Sequence, residues 1–159
     1  MEKVVILNNI RSNENVGSIF RTADGAGVSK IILCGYTPAP LDRFGRENKG
    51  LVKASLGAEK SVVWEKFENL KEAIKNARSK NFVIVGVEQD KQAIDYRKIK
   101  QIATNNQHLA LVFGNEVEGL SKTDLKLCDV VAELPMKGKK ESLNVSVCAG
   151  IVLYSLITD

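Results

Sequence analysis

Six short apolar runs punctuate the chain, at residues 4–7, 30–33, 62–64, 82–87, 109–113 and 130–134. They are rich in β-branched residues and bounded by Gly, Asn or Asp. Hydrophobicity on consecutive rather than alternate positions is the mark of strands covered on both faces, as in a buried parallel sheet. Helical patterns lie between several of the runs. Over 15–26, Val16, Ile19, Phe20 and Ala23 form one stripe, and Gly25 or Gly27 offers a stop. Over 68–80, Leu70, Ala73, Ile74 and Ala77 make one face, opposite Lys71, Glu72, Lys75, Asn76 and Arg78. The last segment, 143–157, is apolar almost all round, which predicts a helix covered by the body of the protein or by a second subunit. Strand–helix alternation gives an α/β fold, a mostly parallel sheet flanked by helices. No repeat, low-complexity tract or linker interrupts it, so residues 1–159 are expected to form a single domain.

Composition narrows the picture. A chain of 159 residues, 44% hydrophobic, can bury roughly two-thirds of its unfolded surface around one core. No run approaches the roughly 20 apolar residues of a membrane span, and Met1-Glu2-Lys3 leads into the first strand without a signal-peptide pattern, so a cytoplasmic protein without membrane contact is expected. Cys34, Cys128 and Cys148 are widely spaced, and His108 is the only histidine. That supports neither a disulfide framework nor a metal site, and the cysteines read as small core residues. The formal net charge of +4 permits an anionic partner without demanding one.

The familiar nucleotide loops are absent. After the run 109–113 come Gly114-Asn115-Glu116-Val117-Glu118-Gly119-Leu120-Ser121. A phosphate loop needs Lys and Ser/Thr after its second glycine, whereas Leu120 follows Gly119, and Glu116 and Glu118 would repel a triphosphate. A neutral or cationic nucleotide-like ligand suits this loop better. A dinucleotide fold places its glycine-rich turn after the first strand, where this chain has Asn8-Asn9-Ile10-Arg11. Gly25-Ala26-Gly27 reads as a helix C-cap, and the stretch from Gly45 to Gly50, followed by Leu51, as a basic loop.

Three polar constellations remain. The first is 15–24, where Asn15 starts a helix and Arg21 follows nearly two turns later; they are an N-cap and a solvated residue, or a functional pair. The second is the loop 114–121. The third, 134–146, runs from a strand end through a flexible basic loop to a helix start, with Ser142 either capping that helix or serving a site.

In this order the three segments resemble the motifs of the SpoU (TrmH-like) family, RNA ribose 2′-O-methyltransferases of the SPOUT superfamily. Residues 15–24 with Gly27-Val28 look like its first motif, 111–120 like its second, and Leu134-Pro135-Met136 with Ser142-Leu143-Asn144-Val145-Ser146 like its third. The resemblance implies a C-terminal deep trefoil knot holding S-adenosylmethionine, whose sulfonium cation tolerates a loop bearing carboxylates. It implies Arg21 as the catalytic arginine, supported by Asn15, Glu116, Ser142 and Asn144. It also implies a donor pocket from Phe113, Gly114, Asn115, Gly119, Leu134, Pro135, Met136, Ser142 and Leu143.

A guanidinium normally stays protonated, so Arg21 is better suited to stabilising the developing alkoxide than to acting as the base, with Asn15 and Asn144 orienting it. Larger members of the family carry added RNA-binding domains, whereas this chain is expected to find RNA, transfer RNA slightly before ribosomal RNA, with its own surface. The candidates are Arg11, Arg43, Arg46, Lys49 and Lys53, with Lys137, Lys139 and Lys140. The apolar last helix and the resemblance together imply a homodimer. An inactive module binding the donor or RNA is the alternative. The presence of Arg21, Ser142 and Asn144 argues against it, and no signature of another cofactor supports a small-molecule enzyme.

Overall fold

The computed structural model describes residues 1–104 and 106–157. Its strands are β1 (Lys3–Asn8), β2 (Lys30–Cys34), β3 (Val63–Phe67), β4 (Phe82–Val87), β5 (Ile94–Asp95), β6 (His108–Phe113) and β7 (Val130–Glu133). They form one sheet in the order β3-β2-β1-β6-β4-β7-β5, and each neighbouring pair is parallel. The expected runs therefore became strands. Only the two-residue β5 lies outside them, too short and too polar to register as an apolar run.

Helices α1 (Asn13–Gly25), α2 (Lys49–Ser55), α3 (Ala58–Ser61), α4 (Leu70–Ser79), α5 (Lys122–Leu127) and α6 (Val145–Ser155), with a 3-10 segment Tyr96–Gln101, complete the fold. Two buried clusters cover the two faces of the sheet. Val5 and Leu7 of β1 pack with Val16, Ile19 and Phe20 of α1 and Val152 and Leu153 of α6. Val4 and Ile6, pointing the other way, pack with Leu70, Ala73, Ile74 and Ala77 of α4. Burial on both sides is what continuous apolar strands demand. Cys34 belongs to the core, while Cys128 and Cys148 are half-buried against it.

Local chemistry sets the helix ends, and it differs from the expectation at three of them. Ser12, not Asn15, caps α1, its hydroxyl accepting from the Asn15 N–H at 3.1 Å. A serine hydroxyl reaches that N–H from the extended residue before the helix, which leaves the Asn15 side chain available elsewhere. At the other end Gly27 has φ +67°, and the Gly27 and Val28 N–H groups bond to Asp24 and Ala23 carbonyls, the Schellman closure a glycine C-cap makes. The expected basic loop ends early, because Asn48 caps α2 by accepting from the Leu51 N–H and places Gly50 inside the first turn. The last helix begins after Asn144 rather than Ser142, with Asn144 Oδ1 accepting from the N–H groups of Ser146 and Val147 at 2.9 and 3.4 Å. Helix α6 buries Ala149, Val152 and Leu153 and exposes Val147, Ile151 and Tyr154.

Candidate functional site

Because the strands are parallel, the segments leaving them emerge on one edge. Leu7 pairs with Phe113, Gly86 with Val112, and Val87 with Ala132, so β1, β6, β4 and β7 end side by side. A cavity of about 140 Å³ lies there, the edge at which open parallel sheets commonly take ligands. Its lining includes the expected Phe113, Gly114, Asn115, Glu116, Gly119, Leu134, Met136, Ser142 and Leu143. Pro135, Arg21 and Asn144 are exposed and outside the lining, and the half-buried Asn15 is outside it too. Val87, Glu88, Gln89, Val117, Glu118, Val145 and Cys148 also line it. The signal for Glu88 and Gln89 was in the sequence: a polar pair directly after the wholly buried β4.

The loop after β6 is held from within. Asn115 Oδ1 accepts from the N–H groups of Val117 and Glu118, both at 2.9 Å. Its Nδ2 donates to the Asn9 carbonyl at 3.0 Å and the Tyr36 hydroxyl at 2.9 Å, so its polar atoms serve the loop. A Cβ on Gly114 would lie 2.5 Å from the Gly119 carbonyl carbon, while Gly119 has φ +65° and a Cβ there would strike the Glu88 carboxylate. Only glycine satisfies both positions. Glu88 completes the brace by accepting from the Leu120 N–H at 2.9 Å. Downstream, Ser121 and Asp124 form a capping box that starts α5.

Glu116 turns away from this loop to clasp the start of α1. It accepts from the Arg11 N–H at 2.8 Å, the Ser12 N–H at 2.8 Å and Asn15 Nδ2 at 3.2 Å. Asn15 Oδ1 in turn accepts from Asn144 Nδ2 at 3.2 Å. The three constellations thus meet in one chain, Asn144 to Asn15 to Glu116. Desolvation raises the Glu116 pKa, but the N–H bonds from Arg11 and Ser12 stabilise the carboxylate more, and the net result lies below the usual 4.5.

Arg21 is exposed on α1 and makes no hydrogen bond or ion pair with another described residue. Asn15 and Asn144 bond to each other rather than to its guanidinium. Arg11, Lys49, Lys53, Lys137, Lys139 and Lys140 are exposed; Arg43 and Arg46 flank the Phe44 ring, and Arg46 also pairs with Asp42 at 2.7 Å. Burial pushes the Cys148 thiol up to about 11, so it stays protonated in the cavity wall near neutral pH. Among the described residues no group of three His, Cys, Asp or Glu side chains is placed to hold a metal.

The family model described as the SpoU rRNA Methylase family matches residues 2–154. This chain belongs to that family. A tRNA/rRNA methyltransferase of Archaeoglobus fulgidus, itself uncharacterised, is 33% identical over 96% of this chain and 63% of its own length. Among solved structures, an AdoMet-bound rRNA methyltransferase from Sinorhizobium meliloti superposes with a TM-score of 0.84 at 30% identity, covering 98% of this chain and 55% of that one. The A. aeolicus TrmH/SpoU tRNA modifying enzyme gives 0.80 at 28% identity, covering 98% and 73%. The chain thus spans less than two-thirds of the curated relative. The mostly parallel sheet flanked by helices is the fold these neighbours share.

Proposed function

We propose that this SpoU family member transfers a methyl group from S-adenosylmethionine to a ribose 2′-hydroxyl of tRNA or rRNA. The observation that carries the reading is the junction of the three constellations at the cavity: the loop after β6 lines it, and Glu116 and Asn144 tie it to the helix bearing Arg21. The lining fits the donor. Phe113, Leu134, Met136 and Leu143 offer an apolar wall for a purine, and Glu88, Glu116 and Glu118 give the lining a negative charge that suits a cationic ligand.

When bound, S-adenosylmethionine supplies a methyl carbon on a sulfonium, which an oxygen nucleophile takes in one displacement. The residues of this chain do the rest. Gly114 and Gly119 let backbone approach the donor, and Glu88 and Asn115 keep that backbone in place. Glu116 and Asn15 fix the angle at which α1 leaves the site. Arg21, with no partner among the described residues, stabilises negative charge on the ribose oxygen as the hydroxyl proton passes to a substrate phosphate. Ser142, at the cavity rim, contacts the neighbouring phosphate.

The reading extends to a C-terminal trefoil knot around the donor and to a homodimer. Val147, Ile151 and Tyr154 of α6 are 50%, 38% and 55% exposed, an apolar face that a two-fold contact would cover on both subunits at once. Among the described residues no helix is long and apolar enough to cross a membrane, and the reading places the chain with its RNA in the cytoplasm.

Labelled methyl transfer to bulk RNA tests this directly. The expected product is a nucleotide resistant to alkaline hydrolysis at the modified linkage, enriched in the transfer RNA fraction. Label on a base would overturn the 2′-oxygen assignment. Donor binding without transfer to any RNA would favour the inactive module.

A further inference from the structure

Between β2 and α2 the chain makes a small hairpin whose tip has no role in the site. Leu41 and Glu47 pair in an antiparallel bridge, the Asp42 N–H donates to the Arg46 carbonyl at 2.9 Å, and the Gly45 N–H donates to the Asp42 carbonyl at 3.0 Å. The Asp42 carboxylate staples the turn, Oδ1 accepting from the N–H groups of Phe44 and Arg46 at 2.8 and 2.9 Å and Oδ2 from Arg46 Nε at 2.7 Å. At its tip Phe44 is 67% exposed and belongs to neither core cluster. The Arg43 and Arg46 guanidinium carbons lie 4.8 and 5.0 Å from its ring centroid.

The hairpin is also tied to the site. Asn48 Nδ2 donates to Asn13 Oδ1 at 2.8 Å, and Asn13 follows Ser12, whose N–H is held by Glu116. An apolar ring held in water by a stapled turn, with two guanidiniums within about 5 Å of its centroid and the exposed Lys49 and Lys53 following in α2, is an exposed aromatic surface in a run of positive charge.

We propose that Phe44 is a stacking platform for an unpaired base of the RNA substrate, with Arg43 and Arg46 contacting the phosphates on either side. This rests on the RNA-modifying reading above. A protruding ring can stack only on a base that has left a duplex, because paired bases already cover each other's faces, so the RNA met here is a loop or a single strand. Stacking adds affinity without adding charge, and the flanking arginines add charge without reading sequence.

The test is binding of a fluorescent single-stranded RNA, and of the same sequence as a duplex, over a range of salt. Phe44→Ala is expected to weaken the single strand about 5- to 150-fold, to leave the duplex nearly unchanged and to keep the salt slope. Arg43→Ala should lower the slope instead. Phe44→Trp should keep the affinity, and its fluorescence, corrected for Trp64, should be quenched by the single strand. Equal affinity of wild type and Phe44→Ala, or equal losses on duplex and single strand, would overturn the inference while leaving methyl transfer by the wild type standing. Phe44-dependent binding without methyl transfer would support it and sink the enzymatic reading.

Discussion

Glu116 and Asp42 are both carboxylates that accept two backbone N–H groups and one side-chain N–H, yet they act over different ranges. Asp42 bonds to Phe44 and Arg46, two and four residues away, on an exposed hairpin. Glu116, half-buried, bonds to Arg11, Ser12 and Asn15, about a hundred residues back along the chain. The first shapes a turn. The second ties the loop after β6 to the start of α1, segments that leave neighbouring strands, and so helps set where α1 sits relative to the cavity. Similar chemistry therefore carries local geometry in one place and the architecture of the site in the other.

The largest effect should appear where the clasped helix meets substrate. Arg21→Ala is expected to lower methyl transfer roughly 10²- to 10³-fold, the usual cost of one preorganised charge-stabilising group, with melting temperature and donor affinity unchanged. Arg21→Lys keeps the charge and loses the planar fork, so an equal loss would assign the role to geometry. Wild-type transfer by Arg21→Ala would detach α1 from the chemistry altogether.

Breaking the carboxylates themselves sharpens the contrast. Glu116→Ala leaves the Arg11 and Ser12 N–H groups without their acceptor and should cost about 1–3 kcal/mol in urea unfolding, together with a fall in transfer rate. Asp42→Ala should cost clearly less, since its partners are exposed and water replaces it. Equal losses would mean that range does not matter.

Acid tests the Glu116 clasp as well. The folded Glu116 pKa lies below the unfolded value near 4.5, so its stabilisation is complete above that pH and is lost as pH falls through the lower folded value. Stability measured from pH 6 to pH 3 should therefore decline less steeply in Glu116→Gln than in wild type. Identical profiles would show that the clasp is not carried by the ionised form.

The smallest effect concerns the basic surface. Replacing Arg43 and Lys49 together should flatten the salt dependence of RNA binding by about 0.7–0.9 for each phosphate that is no longer neutralised, with donor affinity untouched. An unchanged slope would move the RNA elsewhere.

Elements governed by neighbouring residues were legible in the sequence. The continuous apolar runs became parallel strands because two covered faces leave no place for alternation, and the Gly27 stop follows from a single backbone angle. Helices α2, α3 and α5 escaped because each is seven residues or fewer, too short for a helical stripe to register. Their caps at Asn48 and Ser121 were visible only as polar residues among others.

Of the site, the sequence by itself marked the loop 114–121 and its two glycines, and the family resemblance pointed to most of the cavity lining in the second and third constellations, with Pro135 falling outside it and Val117, Glu118 and Val145 added. Only the tertiary structure decided that Ser12 caps α1, that Asn144 caps α6, and that Asn15 is thereby free to join Asn144 to Glu116. It alone brought Glu88 behind Gly119, because β4 and β6 are neighbours in the sheet though far apart in sequence. The physical reason is the range of the interactions. Hydrophobic periodicity and capping act over one or two turns and are written in adjacent letters, whereas a hydrogen bond across a hundred residues exists only once the sheet order has placed its two ends together.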